Sequence, residues 1–268
     1  RCYRLHPNGS PVAHSKSQLS RVPNLPTLYL QGLASHKQLM GMNIVITGAG
    51  RGIGFETALL LAADAGNRVI ALSRNSAALQ ALQQQAPCQN IHVHACDLVT
   101  ATVPQLANLL EQYGTIDILI NNAGQLVNSR FTESTPAEWQ QMWETNVLGV
   151  VKMVQAVLPV MQDAAHPHII NIGSMGGFQG TAKFPGLAAY SASKAAVANL
   201  TECLAEELKE QNIKVNCRAL GAVNTEMLHE AFPGYVAPVS ARHMAQYVAS
   251  FAGAGHYVRY GTIIAVAI

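Results

Sequence analysis

From Asn43 onward the chain alternates short apolar runs with longer stretches in which apolar residues recur every three or four positions. The short runs, rich in Val and Ile, read as strands over residues 43–46, 68–72, 91–95, 116–120, 168–172, 214–219 and 261–267. Between them the longer period predicts helices. The first passes through Phe55, Leu59, Leu60 and Leu61 and is expected to stop at Gly66, two more cover 76–85 and 103–113, and a long one opens at Thr135. Thr135-Pro136-Ala137-Glu138 has the form of a capping box with proline at the first helical position. A further helix runs from Ala189 to about residue 211, with Ala196, Leu200, Cys203 and Leu204 as its expected core face. Continuous apolar strands alternating with helices imply a parallel sheet of about seven strands, buried on both faces. Right-handed crossovers make such a sheet a doubly wound α/β fold, with its ligand crevice at the carboxyl ends of the strands.

Residues 1–41 break this pattern. They carry four prolines, five serines and five basic residues with no acid. The expectation is an extension, disordered and of foreign or upstream origin, followed by one folded domain over residues 42–268. Beyond the extension, 12 basic residues face 15 acidic ones, so the domain is mildly acidic although the whole chain is formally +2. No basic face points to nucleic acid, and no run of 18 apolar residues points to a membrane span. Five scattered cysteines without a Cys-x-x-Cys pair are expected to be reduced thiols of a cytoplasmic protein. His92, His94 and Cys96 alternate along a strand, but without a carboxylate partner they read as packing rather than as metal ligands. Only 12% of residues are charged, about half the typical share of roughly 25%. That sparse charge, with Trp139, Met142, Trp143, Val147, Val150, Val151, Val154 and Leu158 spread around the long helix, leads to the expectation of a homodimer or homotetramer.

The chemistry centres on Ala189-Tyr190-Ser191-Ala192-Ser193-Lys194. Residues i and i+4 share one helix face, so Tyr190 and Lys194 can point into one site. A lysine cation beside the phenol is expected to lower its pKa from about 10 and so make it a proton donor or acceptor near neutrality. A lone Tyr-x-x-x-Lys is more often just a helix face, and its weight comes from other motifs in the chain. Thr47-Gly48-Ala49-Gly50-Arg51-Gly52-Ile53-Gly54 lies between the first strand and first helix, where backbone N–H groups can approach a pyrophosphate.

Together with Asn121-Asn122-Ala123-Gly124, Asn146 and Ser174, these motifs resemble the short-chain dehydrogenase/reductase family over about residues 43–268. The resemblance implies a Rossmann-like dinucleotide fold and a catalytic set of Asn146, Ser174, Tyr190 and Lys194. In it Tyr190 protonates a carbonyl oxygen that Ser174 holds, Lys194 grips the nicotinamide ribose, and Asn146 positions a water. It also implies cofactor contacts from Thr47, Gly48, Gly50, Arg51, Gly52, Ile53 and Gly54, from Asp97 and Leu98, from Asn122, Ala123 and Gly124, and from Gly221, Val223 and Thr225. The end of the second strand, Ser73-Arg74, lacks the carboxylate that would accept from an adenosine ribose, and Arg74 with Arg51 would suit a 2′-phosphate. NADP(H) is therefore expected over NAD(H).

The expected activity is reduction of a ketone or aldehyde, reversible to alcohol oxidation. A 3-oxoacyl thioester reductase and a dinucleotide-binding sensor without turnover are the alternatives. Ser174 and Tyr190 stand 16 residues apart, a wider spacing than the family usually shows, which is expected to reshape the substrate pocket without displacing Ser174. Residues 226–238 read as a short loop.

Overall fold

The computed structural model describes residues 41–258 and 261–266, so the expectation for the N-terminal extension lies almost wholly outside the described residues. The strands are β1 (Asn43–Thr47), β2 (Arg68–Ser73), β3 (Ile91–Ala95), β4 (Ile118–Asn121), β5 (His168–Ser174), β6 (Lys214–Leu220) and β9 (Ile263–Val266). They form one sheet in the order β3-β2-β1-β4-β5-β6-β9, with every neighbouring pair parallel. Two short strands, β7 (Val223–Asn224) and β8 (Val239–Ser240), pair separately.

Alternation along the strands explains the two layers. Ile44, Ile46, Val69 and Ala71 belong to one core, while Val45, Ile70 and Leu72 belong to the other. The first core is closed by α1 (Gly52–Leu61), α2 (Ser76–Gln84) and α8 (Ala241–Val258), through Ala58, Leu79, Leu82 and Val248. The second is closed by α3 (Val103–Glu111), α5 (Gly149–Met161) and α6 (Ala188–Glu207), through Leu106, Met153, Val157 and Val197. The sheet is thus doubly wound. Its order reverses about β1 and β4, which opens a crevice at the carboxyl ends of those strands.

Several local expectations change. Helix α1 ends at Leu61, before Gly66, because the Asn67 side chain donates to the Leu61 carbonyl at 3.0 Å and closes the end. The long helix is not continuous: α4 (Pro136–Trp143), with the Thr135–Glu138 capping box in place, passes into a π-helical turn at Glu144–Leu148 before α5. Along it Met142, Val147, Val150 and Val154 are buried within the chain, leaving Trp143 at 45% and Leu148 at 40% exposure. The apolar band is therefore narrower than its sequence implies. On α6 the buried stripe is Lys194, Val197, Thr201 and Ala205, whereas Cys203 is exposed. The stretch expected as a loop after Thr225 contains α7 (Glu226–Ala231), which Thr225 caps. His94 Nε2 lies 2.5 Å from the Tyr113 hydroxyl, and His92 packs edge-on against the same ring. Among the described residues no helix is long and apolar enough to cross a membrane.

Candidate active site

At the carboxyl edge of the sheet lies a cleft of about 940 Å³. One end is built on the turn between β1 and α1. Gly48 has φ +69°, and a Cβ there would stand 2.7 Å from the Ala123 Cα, so only glycine lets the turn close against the segment after β4. A Cβ at Gly54 would collide with Asn122 Nδ2 and stand 2.5 Å from the Gly48 carbonyl oxygen. These two segments are also tied by hydrogen bonds. The Thr47 hydroxyl accepts from the Asn122 and Ala123 N–H groups at 3.1 and 3.0 Å, and Asn122 Nδ2 donates to the Thr47 and Gly48 carbonyls.

The N-terminus of α1 is available to an anion. Its N-cap, Arg51, makes no side-chain capping bond, and its first turn contains no acidic residue. Ser73 and Arg74 line the cleft beside this turn, as do Asp97 and Leu98. Arg74 is exposed and makes no hydrogen bond or ion pair with the described residues. Arg51 is engaged instead, in a two-point ion pair with Glu230 of α7 whose second contact is 3.0 Å. The Asp97 carboxylate accepts from the Val99 N–H at 3.0 Å, and Lys152 reaches from α5 to the Leu98 and Val99 carbonyls at 2.9 and 2.7 Å. Lys152 thus fixes the loop after β3, a role that its sequence position does not announce. A glycine cradle, an uncapped helix N-terminus and unpaired Arg74 fit a dinucleotide phosphate.

The other end of the cleft carries Ser174, Tyr190 and Lys194. Ser174 ends β5, and its hydroxyl accepts from the Gly176 N–H at 3.1 Å; its side chain stands beside the Tyr190 phenol and favours the phenolate. The wide spacing therefore leaves Ser174 beside Tyr190. Lys194 is 5% exposed; its ammonium donates to the Ile172 carbonyl at 2.9 Å and sits 6.0 Å from the centre of the Tyr190 ring. Burial pushes Lys194 down to about 8.

The expected lowering of the Tyr190 pKa by Lys194 does not occur in the chain alone. Burial raises it, and the neighbouring Ser174 side chain is what opposes that rise. The ammonium lies over the ring and is directed at the Ile172 carbonyl.

Asn146 is fully buried in the π-helical turn and does not line the cleft. Its Oδ1 accepts from the Gln125 N–H at 2.7 Å, and its Nδ2 donates to the Gln125 carbonyl and the Ser193 hydroxyl, each at 2.9 Å. The side chain is committed to the protein, which leaves it holding the loop after β4 against α6. A second buried relay was not visible in the motifs. Asn121 donates to Asn171, Asn171 to Thr201, and Thr201 to the Val197 carbonyl, at 2.9, 2.9 and 2.8 Å. Among the other expected positions, Gly50, Gly52, Ile53, Gly124, Gly221, Val223 and Thr225 line the cleft, whereas Gly54 supports the turn from behind.

Comparison with known proteins agrees with this geometry. The family model described as short chain dehydrogenase matches residues 42–235. An uncharacterized oxidoreductase of Staphylococcus aureus strain MW2 is 37% identical over 183 residues, which cover 68% of this chain and 78% of that protein. A short chain dehydrogenase of Shigella flexneri 2a strain 301, crystallised with NADP, superposes with TM-score 0.75 at 26% identity, covering 85% of this chain and 97% of its own. One from Escherichia coli strain CFT073, crystallised with NADPH, gives the same TM-score, identity and coverage. Since the family match runs from the first strand past the tyrosine–lysine pair, the chain belongs to the short-chain dehydrogenase/reductase family of oxidoreductases.

Proposed function

We propose that the protein is an NADPH-dependent reductase of ketones or aldehydes, working in reverse as an alcohol dehydrogenase. The observation that carries this reading is that Ser174, Tyr190 and Lys194 line one cleft that continues to the glycine turn. The nicotinamide, when bound, supplies the hydride for the carbonyl carbon. Tyr190 gives its proton to the carbonyl oxygen, and Ser174 donates a hydrogen bond to that oxygen as negative charge develops there. Because burial raises the Tyr190 pKa, the phenol is protonated at neutral pH, the form that reduction requires. Lys194 donates to the Ile172 carbonyl at the floor of the site and would meet the cofactor ribose. Asn146 acts here by positioning Gln125 and Ser193, without touching the reacting atoms.

Glycine-turn N–H groups, Arg74 and the α1 N-terminus would hold the phosphates, and Asp97 and Thr225 the adenine and carboxamide ends. Arg74, with no partner among the described residues and no carboxylate at the end of β2, supports NADPH over NADH. The two similar structures crystallised with NADP and NADPH point the same way. The exposed Trp143 and Leu148 support a homo-oligomer, and the four described cysteines, all free, support a cytoplasmic setting.

The test is loss of NADPH absorbance with a panel of ketones. Wild type is expected to turn over, and Tyr190→Phe to lose about 10²–10⁴-fold in kcat. A Tyr190→Phe enzyme of unchanged kcat would refute the catalytic assignment.

A further inference from the structure

We infer that the substrate is an uncharged, lipophilic ketone with an extended hydrocarbon portion, an inference that rests on the reductase reading and narrows it. Three segments enclose the cleft around Tyr190: residues 124–128 after β4, residues 175–187 between β5 and α6, and residues 227–235 in and after α7. Hydrogen bonds brace them against one another. Asn128 donates to the Ala231 carbonyl at 2.8 Å, and the Ser129 N–H donates to the Gly186 carbonyl at 3.0 Å. The frame is therefore set by the chain, before any substrate arrives.

The side chains that these segments turn to the cleft are apolar, among them Leu126, Met175, Phe184, Leu187, Met227 and Phe232. Phe184 is 61% exposed and Tyr235, also on the cleft, is 48% exposed. Large aromatic rings at the mouth of a concave site are surface that a ligand would cover. The charged residues lining the cleft lie elsewhere. Arg51, Arg74 and Asp97 follow β1, β2 and β3, Lys194 is bonded to the Ile172 carbonyl, and the Glu226 carboxylate lies beside Gly52 of the glycine turn. On the three segments themselves the nearest cation, Lys183, donates to the Gly176 and Phe178 carbonyls and the Thr181 hydroxyl at 2.8, 2.6 and 3.0 Å. A substrate carboxylate would have no free cation to meet there, whereas each added methylene would find hydrocarbon.

The experiment separates substrate class from turnover by measuring binding in an enzyme whose chemistry is slowed. Tyr190→Phe saturated with NADPH is titrated calorimetrically with straight-chain methyl ketones from butanone to decanone and with α-keto acids of equal length. Affinity is expected to rise by about two- to fourfold per methylene until the cleft is filled, with each keto acid at least tenfold weaker than its ketone. Phe184→Ser and Phe232→Ser, added to this background, are each expected to flatten the series. Affinities that do not grow with chain length, keto acids that bind as well as ketones, or series left unaltered by both serine substitutions would overturn the inference. If the series appears but wild type reduces none of the ketones, the reductase reading fails while the apolar pocket stands. If wild type reduces ketones without the series, the reverse holds.

Discussion

Lys194 sits where its charge is opposed by burial, so its protonation is coupled to folding. Its folded pKa of about 8 lies below the ordinary 10.5, and the unfolded chain therefore binds more protons between those values. Stability must then rise with pH across that window, and the full penalty, up to about 3 kcal/mol, applies below pH 8. Replacing Lys194 with Met should remove this slope. Urea unfolding of both proteins from pH 7 to pH 10 is expected to show wild type gaining on the variant as pH rises, and parallel curves would contradict the burial account. Arg51 gives a second prediction at this scale. Its partner Glu230 competes for the guanidinium that a 2′-phosphate would use. Glu230→Gln should tighten NADPH by up to about fivefold, the worth of an exposed pair, and leave NADH unaltered. Equal effects on both cofactors would remove Arg51 from the phosphate site. The sequence showed both arginines but not this pair, because Glu230 lies 179 residues away on a helix that read as a loop.

The motif-bearing turns were legible as elements because each is a local rule. Thr135-Pro136-Ala137-Glu138 forms its box from four adjacent residues, and the glycine turn follows directly on β1. The π-helical turn was not legible, since its one extra residue shifts the apolar face and so reads only as a band spread around a single long helix. It brings Asn146 to Gln125 and Ser193, contacts spanning 21 and 47 residues that no spacing encodes. Asn146→Ala would leave the part-buried Gln125 N–H and carbonyl and the buried Ser193 hydroxyl without this partner, at a cost of about 1–3 kcal/mol. Chemical denaturation should show that loss, and activity should fall because the loop bearing Gly124 shifts. Asn146→Asp retains an acceptor for the Gln125 N–H but places a carboxylate against the Gln125 carbonyl, and is expected to do no better. A variant as stable as wild type would mean that these hydrogen bonds contribute little.

At the scale of the whole molecule, alternating strands and helices foretold a doubly wound parallel sheet, and the sheet has that form because successive strand residues feed two cores. What alternation could not foretell is how much apolar surface the chain would hide by itself. Trp143 and Leu148 still support association, and light scattering at micromolar concentration is expected to give a dimer or tetramer. A mass of one chain would oppose it. Cofactor choice is also a property of the assembled cleft, since Arg74, just after β2, and the α1 N-terminus meet only in the folded sheet. Ser73→Asp with Arg74→Ala should invert the preference for NADPH over NADH, and an unmoved ratio would leave Arg74 a solvated loop residue. The central claim, that Tyr190 works as the acid while hydride passes to a carbonyl, has one direct measurement. NADPH dideuterated at its hydride-bearing carbon is incubated with a lipophilic ketone, and the product alcohol is analysed by mass spectrometry. The account predicts one deuterium on the carbinol carbon with wild type, and almost none with Tyr190→Phe although that variant still binds NADPH. Deuterated alcohol formed equally well by Tyr190→Phe, or bound NADPH with no labelled product from any ketone, would contradict it.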